Sequence, residues 1–151
     1  MANTQAMCTA FKGELLTATH NFGTAPTRGT GAADAFKAAL YLASATINAT
    51  TTAYTATGEV TGTNYTAGGV AVTNATAPTT SGTTAYWTPS ASITYTNVTL
   101  STAFDCVLIY NSTQSNKSVS VHTFGSQTVT AGTFTLTMPT NDASTGLIRL
   151  A

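Results

Sequence analysis

Apolar and polar residues alternate along most of this chain. In Thr133-Phe134-Thr135-Leu136-Thr137-Met138 every second side chain is apolar, so an extended strand there has one apolar and one hydroxyl-bearing face. Threonine is β-branched and stiff at χ1, which suits a pleated surface wet on one side. From Gly69 onward similar runs follow one another: Val70–Thr76, Thr83–Thr88, Ser92–Leu100, Phe104–Tyr110, Ser118–Phe124, Thr133–Met138 and Gly146–Leu150. Gly, Pro, Asn and Ser separate them. This spacing predicts a mainly β fold, an antiparallel β-sandwich of Ig-like or jelly-roll-like type. Phe104–Tyr110 is apolar on both faces and reads as the central strand, with Asn111–Asn116 as a polar hairpin loop after it. Between Ile93 and Leu100 the apolar phase slips by one residue at Asn97, which predicts a bulge or sharp bend.

The amino-terminal part has a different period. Met7, Phe11 and Leu15, with Cys8 and Leu16 beside them, recur at three- and four-residue spacing. They predict a short helix from about Met7 to Thr19, capped by Thr4 and ending near Asn21-Phe22-Gly23. Thr24–Ala33, with Pro26, Gly29 and Gly31, reads as an extended arm. Phe36–Leu42 fits a helix or a strand, and strand is preferred because everything downstream is β. The chain thus divides into an N-terminal helix and arm (1–33) and a β-sandwich domain (34–151). Phe11, Leu15, Leu16 and Phe22 are the apolar anchors by which such an arm would hold a neighbouring subunit.

Composition sharpens the picture. Threonine fills 36 of 151 positions, while five basic and five acidic side chains leave a net charge of zero. A neutral chain gains little from counterion release, so nucleic acid is not an expected partner. No apolar run approaches the length of a membrane helix, and no membrane partner is expected. The first residues lack a secretory signal pattern, so the chain is expected to be made and to fold in a reducing cytoplasm. Cys8 and Cys106 are accordingly expected to be unpaired, buried thiols.

Candidate chemistry is sparse. His20 and His122 are the only imidazoles, and Glu14, Asp34, Glu59, Asp105 and Asp142 are scattered singly. No carboxylate pair or metal-ligand spacing emerges, so no catalytic residue, metal site or cofactor is expected. His122 shares a strand face with Ser118, Ser120 and Phe124. Tyr86 and Trp87, with Tyr95, are the candidates for a sugar-stacking platform, and burial in a core or interface is the competing reading. Gly58-Glu59-Val60-Thr61-Gly62 lacks the Lys-Ser/Thr ending of a phosphate loop and reads as a turn between strands.

Several segments carry a resemblance. Phe36-Lys37 with Leu40-Tyr41, then Gly58-Glu59-Val60 with Gly62 and Tyr65-Thr66-Ala67-Gly68-Gly69, then Leu108-Ile109-Tyr110-Asn111, Phe124-Gly125, Gly132–Leu136 and Thr145–Arg149 resemble a group of small tailed-bacteriophage virion structural proteins. The resemblance spans Ala35 to Ala151 and is most specific at the Tyr65-Thr66-Ala67-Gly68-Gly69 turn region. It implies a place in the virion, no enzymatic activity and no catalytic residues. The expected role is capsid decoration or cementing. The chain would bind the major capsid protein shell and itself, as a homo-oligomeric dimer or trimer, after synthesis in the host bacterial cytoplasm. A tail or head-to-tail connector component is the alternative, and a carbohydrate-binding or adhesin domain a further one.

Overall fold

The computed structural model describes residues 2–16, 18–23 and 32–151. It is mainly β, with two antiparallel sheets and a short N-terminal helix, the sandwich class that the alternation predicts. The elements are β1 (Ala6–Met7), α1 (Thr9–Leu16), β2 (Phe36–Leu42), β3 (Val70–Val72), β4 (Thr79–Ser81), β5 (Thr84–Trp87), β6 (Ile93–Asn111), β7 (Lys117–Leu136) and β8 (Ile148–Leu150). One sheet has the order β1-β7-β6-β2-β3 and the other β4-β5-β8.

Two expected pairs of strands are in fact two long strands. Ser92–Leu100 and Phe104–Tyr110 join into the 19-residue β6, and Ser118–Phe124 and Thr133–Met138 into the 20-residue β7. Ser101-Thr102 and Gly125–Thr128 lie exposed on the outside of a bend, where no core demands an apolar face. The ladder continues through them without a hydrophobic signal. Asn111–Asn116 closes the hairpin, as its polarity predicts.

This β6–β7 ribbon folds back over itself. Phe124 and Phe134 are ten residues apart on one strand, a span of roughly 33 Å if straight, yet their ring centroids lie 5.3 Å apart. Phe104 packs edge-on against both rings. Register shifts between Tyr95 and Cys106 make the bend, and one of them brackets Asn97, at φ 52°. The phase slip in the sequence therefore marks a real bulge. Across the fold, the Tyr95 hydroxyl donates to the Ala38 carbonyl at 2.8 Å, although Ala38 pairs with Ile109.

Register places Phe36, Ala38, Leu40, Val107 and Ile109 on one face of the larger sheet. That face is covered by the folded-back ribbon, by Trp87 of the smaller sheet and by the N-terminal segment. Phe22 stacks on Phe36 at 4.5 Å and meets Trp87 at 4.7 Å. The opposite face, with Tyr41 and Tyr110, is covered by the irregular segment 43–69. Gly69 makes that cover possible. It sits at φ +71°, and an added Cβ would lie 1.7 Å from the Ala38 carbonyl oxygen.

The N-terminal expectations need correcting. Helix α1 starts at Thr9 because Met7 is already paired with Ser120 in β1. Thr4 does not cap it, because β1 lies between Thr4 and the helix start at Thr9; the Thr4 N–H donates to the Ile47 carbonyl. The helix ends well before Asn21. Ala18 N–H bonds Leu15 O and Thr19 N–H bonds Glu14 O, a Schellman closure with Ala18 at φ 51°. The described part of region 1–33 packs on the chain's own body. Residues 24–31 of the expected arm lie outside the described residues.

Gly69→Ala is expected to cost about 3 kcal/mol or more, from steric overlap and left-handed strain together. Gly125→Ala, where an added Cβ meets nothing within 4 Å, should change stability by no more than about 0.5 kcal/mol. Urea denaturation of both variants checks the contrast; similar costs would contradict it.

Candidate functional site

Among the described residues, three constellations of polar groups and two hollows offer places where chemistry or binding could reside. The N-terminal segment builds the first. Its Schellman turn brings His20 back beneath α1, against the Phe11 ring at 4.8 Å. His20 Nε2 lies 2.7 Å from Glu14 Oε2, and Asn111 Nδ2 lies 3.1 Å from His20 Nδ1. Asn111 Nδ2 also donates to Asp34 Oδ2 at 2.7 Å, and that oxygen accepts from the Asn21 N–H at 2.8 Å. Because the amide donates to Nδ1, the imidazole is neutral with its proton on Nε2, facing Glu14. Burial holds its pKa below the ordinary value, against the pull of Glu14 and Asp34. Lys117 Nζ pairs with the second Glu14 oxygen. Both ring nitrogens and both Glu14 oxygens are thus committed, so this network staples the segment to the hairpin loop. Sequence reading missed it, since its members come from positions 14 to 117.

The second constellation is the turn region around Glu59. Glu59 is buried and accepts from Tyr54 Oη at 2.6 Å, Tyr65 Oη at 2.8 Å and Gly68 N at 2.7 Å. Tyr54 stacks on Tyr110 and Tyr65 on Tyr95. Five of the chain's six tyrosines thus gather near one carboxylate. Burial and Glu59 together raise their pKa values, that of Tyr54 to about 12. Sequence reading saw only a turn here. The structural role of Glu59 was hidden because its donors lie on both sides of it along the chain.

The third is the Ser120–His122 pair, with Oγ 2.9 Å from Nε2. No carboxylate orients this imidazole, and burial pushes its pKa down to about 4. Among the described residues no three His, Cys, Asp or Glu side chains converge to hold a metal ion. Cys8 and Cys106 are unpaired and buried, as expected. Burial raises both thiols, Cys106 to about 12, which keeps them protonated.

The structure places the predicted interface anchors as follows. Phe11 is fully buried, so its ring serves this chain's own core. Leu15 and Phe22 are half-buried and line an open apolar hollow of about 150 Å³ with Trp87, Ile148 and Leu150. The Leu16 side chain lies outside the described residues. Trp87 and Tyr95 are each only 2% exposed, and Trp87 Nε1 donates to the Thr76 carbonyl. They are unavailable as a surface platform for sugars, because the core needs their area more than solvent does.

Compared with known protein families, curated proteins and solved structures, the chain matches none of them.

Two outcomes test this description. Glu59→Ala leaves two tyrosine hydroxyls and an amide without their acceptor and is expected to cost about 3 kcal/mol or more, read by urea denaturation. Both histidines have folded pKa values below 6.5. The unfolded chain therefore binds protons first, so stability is full above about pH 6.5 and falls as pH drops towards 4. His122→Gln should remove about 2 to 3 kcal/mol of that acid sensitivity, seen as a flatter profile of unfolding midpoint against pH.

Proposed function

We propose that this chain is a non-catalytic structural protein of a tailed-phage particle, a homo-oligomer that decorates and cements the shell of major capsid protein. The observation that carries the reading is the outside of the folded-back ribbon. Its exposed residues are Thr94, Thr96, Asn97, Ser101 and Thr102 on β6, with Gly125–Thr128, Thr130, Ala131, Thr133 and Thr135 on β7. None of them is ionisable. Charge is depleted at the cores of protein interfaces because desolvating it is costly. Hydroxyl groups can pair with either donors or acceptors on a partner.

The edge of β7 supports the same reading. β1 pairs with it only at Val121 and Ser120, and among the described residues no strand continues that pairing towards Leu136. Natural edges are usually guarded by Lys, Pro or other charges. After Lys117, β7 has no Lys, Arg, Asp, Glu or Pro. An unguarded edge is a template for another chain. The resemblance of the Glu59 turn region to phage virion proteins supplies the setting. In that setting the mechanism is differential binding: a protein that attaches only to the assembled shell, present at 100 times its Kd, stabilises each site by about 2.7 kcal/mol.

Purified protein added to expanded shells that lack it should bind saturably and raise their temperature of disruption. The double variant Thr128→Glu with Thr130→Glu should weaken binding by about tenfold or more while leaving the urea midpoint unchanged. No binding to shells would overturn the reading, and localisation to a single ring at the tail would move it to a connector role.

A further inference from the structure

Beyond shell binding, the fold contains a second feature that a purely structural protein does not require. Between the flat part of the ribbon and its folded-back arm lies a cavity of about 240 Å³, open to solvent. Val107 and Ile109 form one wall, and Ile93 and Leu136 the other. Its polar lining consists of Gln5, Thr123, Thr137 and His122, with no charged side chain.

His122 has a specific orientation of donors there. Its Nε2 meets Ser120 Oγ, and the buried serine hydroxyl has no other hydrogen-bond partner among the described residues. The serine proton is therefore donated to Nε2, which places the imidazole proton on Nδ1. Nδ1 has no hydrogen-bond partner among the described residues. That leaves the Nδ1–H free to donate to water or to a ligand that enters the open cavity.

We propose that this cavity is a binding site for a compact, uncharged molecule that joins an aromatic ring or short hydrocarbon to one carbonyl group. The apolar walls take the ring and the His122 Nδ1–H donates to the carbonyl oxygen. Size agrees with this class, since an apolar cavity near 150 Å³ already admits benzene. A carboxylate fits less well, because no cationic side chain lines the cavity to compensate its desolvation.

Benzamide serves as the probe, and toluene, which lacks the acceptor, as its control. Binding is read from methyl NMR shifts of Val107, Ile109 and Leu136 in the full chain. Benzamide should give saturable shifts at these three methyl-bearing residues, and Leu136→Trp, by filling the space, should abolish those of Val107 and Ile109. His122→Phe should weaken benzamide by about fivefold or more while changing toluene affinity by less than about twofold. His122→Gln, which keeps an N–H donor, should retain benzamide affinity within about threefold, and it stands in if the phenylalanine variant does not fold. The proposal is overturned if benzamide gives no saturable shift, if its affinity is unchanged in His122→Phe, or if the Gln variant binds as weakly as the Phe variant. Failure of shell binding would leave this site untouched, since none of its residues belongs to the outer face.

Discussion

A long two-stranded ribbon with one apolar face cannot remain extended in water. Burying that face stabilises it by roughly 25 cal/mol for each Å² removed from solvent. Here much of the required surface comes from the ribbon itself. The bulges between Tyr95 and Cys106 let β6 and β7 turn back, so that Phe104, Phe124 and Phe134 meet in one aromatic cluster. The two layers of the sandwich are thus partly the two halves of one hairpin, and every other segment packs where that fold leaves apolar surface uncovered.

The segments that are not strands are held by buried polar groups. Glu59 ties the irregular cover 43–69 to the sheet through tyrosine hydroxyls and the Gly68 amide. Glu14, His20, Asn111 and Asp34 do the same for the N-terminal segment on the other side. Such networks stabilise only when all members are satisfied, and a half-satisfied one is worse than none. In a chain with ten charged side chains, these buried carboxylates are a large share of the ionisable groups.

That distribution joins fold to function. The interior takes the aromatics, including Trp87 and Tyr95, while the bend of the ribbon presents Thr, Ser, Asn and Gln outward. The uncharged outer face and the unguarded strand edge are the two features on which the proposed shell-binding role rests.

Much of this was legible in the residues. Strict alternation marks strands whatever their partners, because side-chain direction reverses at each residue; hence most of β6 and β7 and the bulge at Asn97 could be read directly, whereas Phe36–Leu42 fitted a helix as well and was assigned to a strand from its surroundings. The joining of four expected strands into two could not, since Ser101-Thr102 and Gly125–Thr128 face solvent at the bend and carry no apolar signal. The start of α1 was misread because pairing of Met7 with Ser120 depends on a strand more than a hundred residues away. Phe11 looked like an anchor for a neighbour, but only the folded chain shows its own core closing over it. Local periodicity is written in consecutive residues, so sequence alone determined the β class and most strand positions. Which carboxylate meets which tyrosine, and which aromatic is inside, depends on contacts between distant segments, and only the tertiary structure decided them.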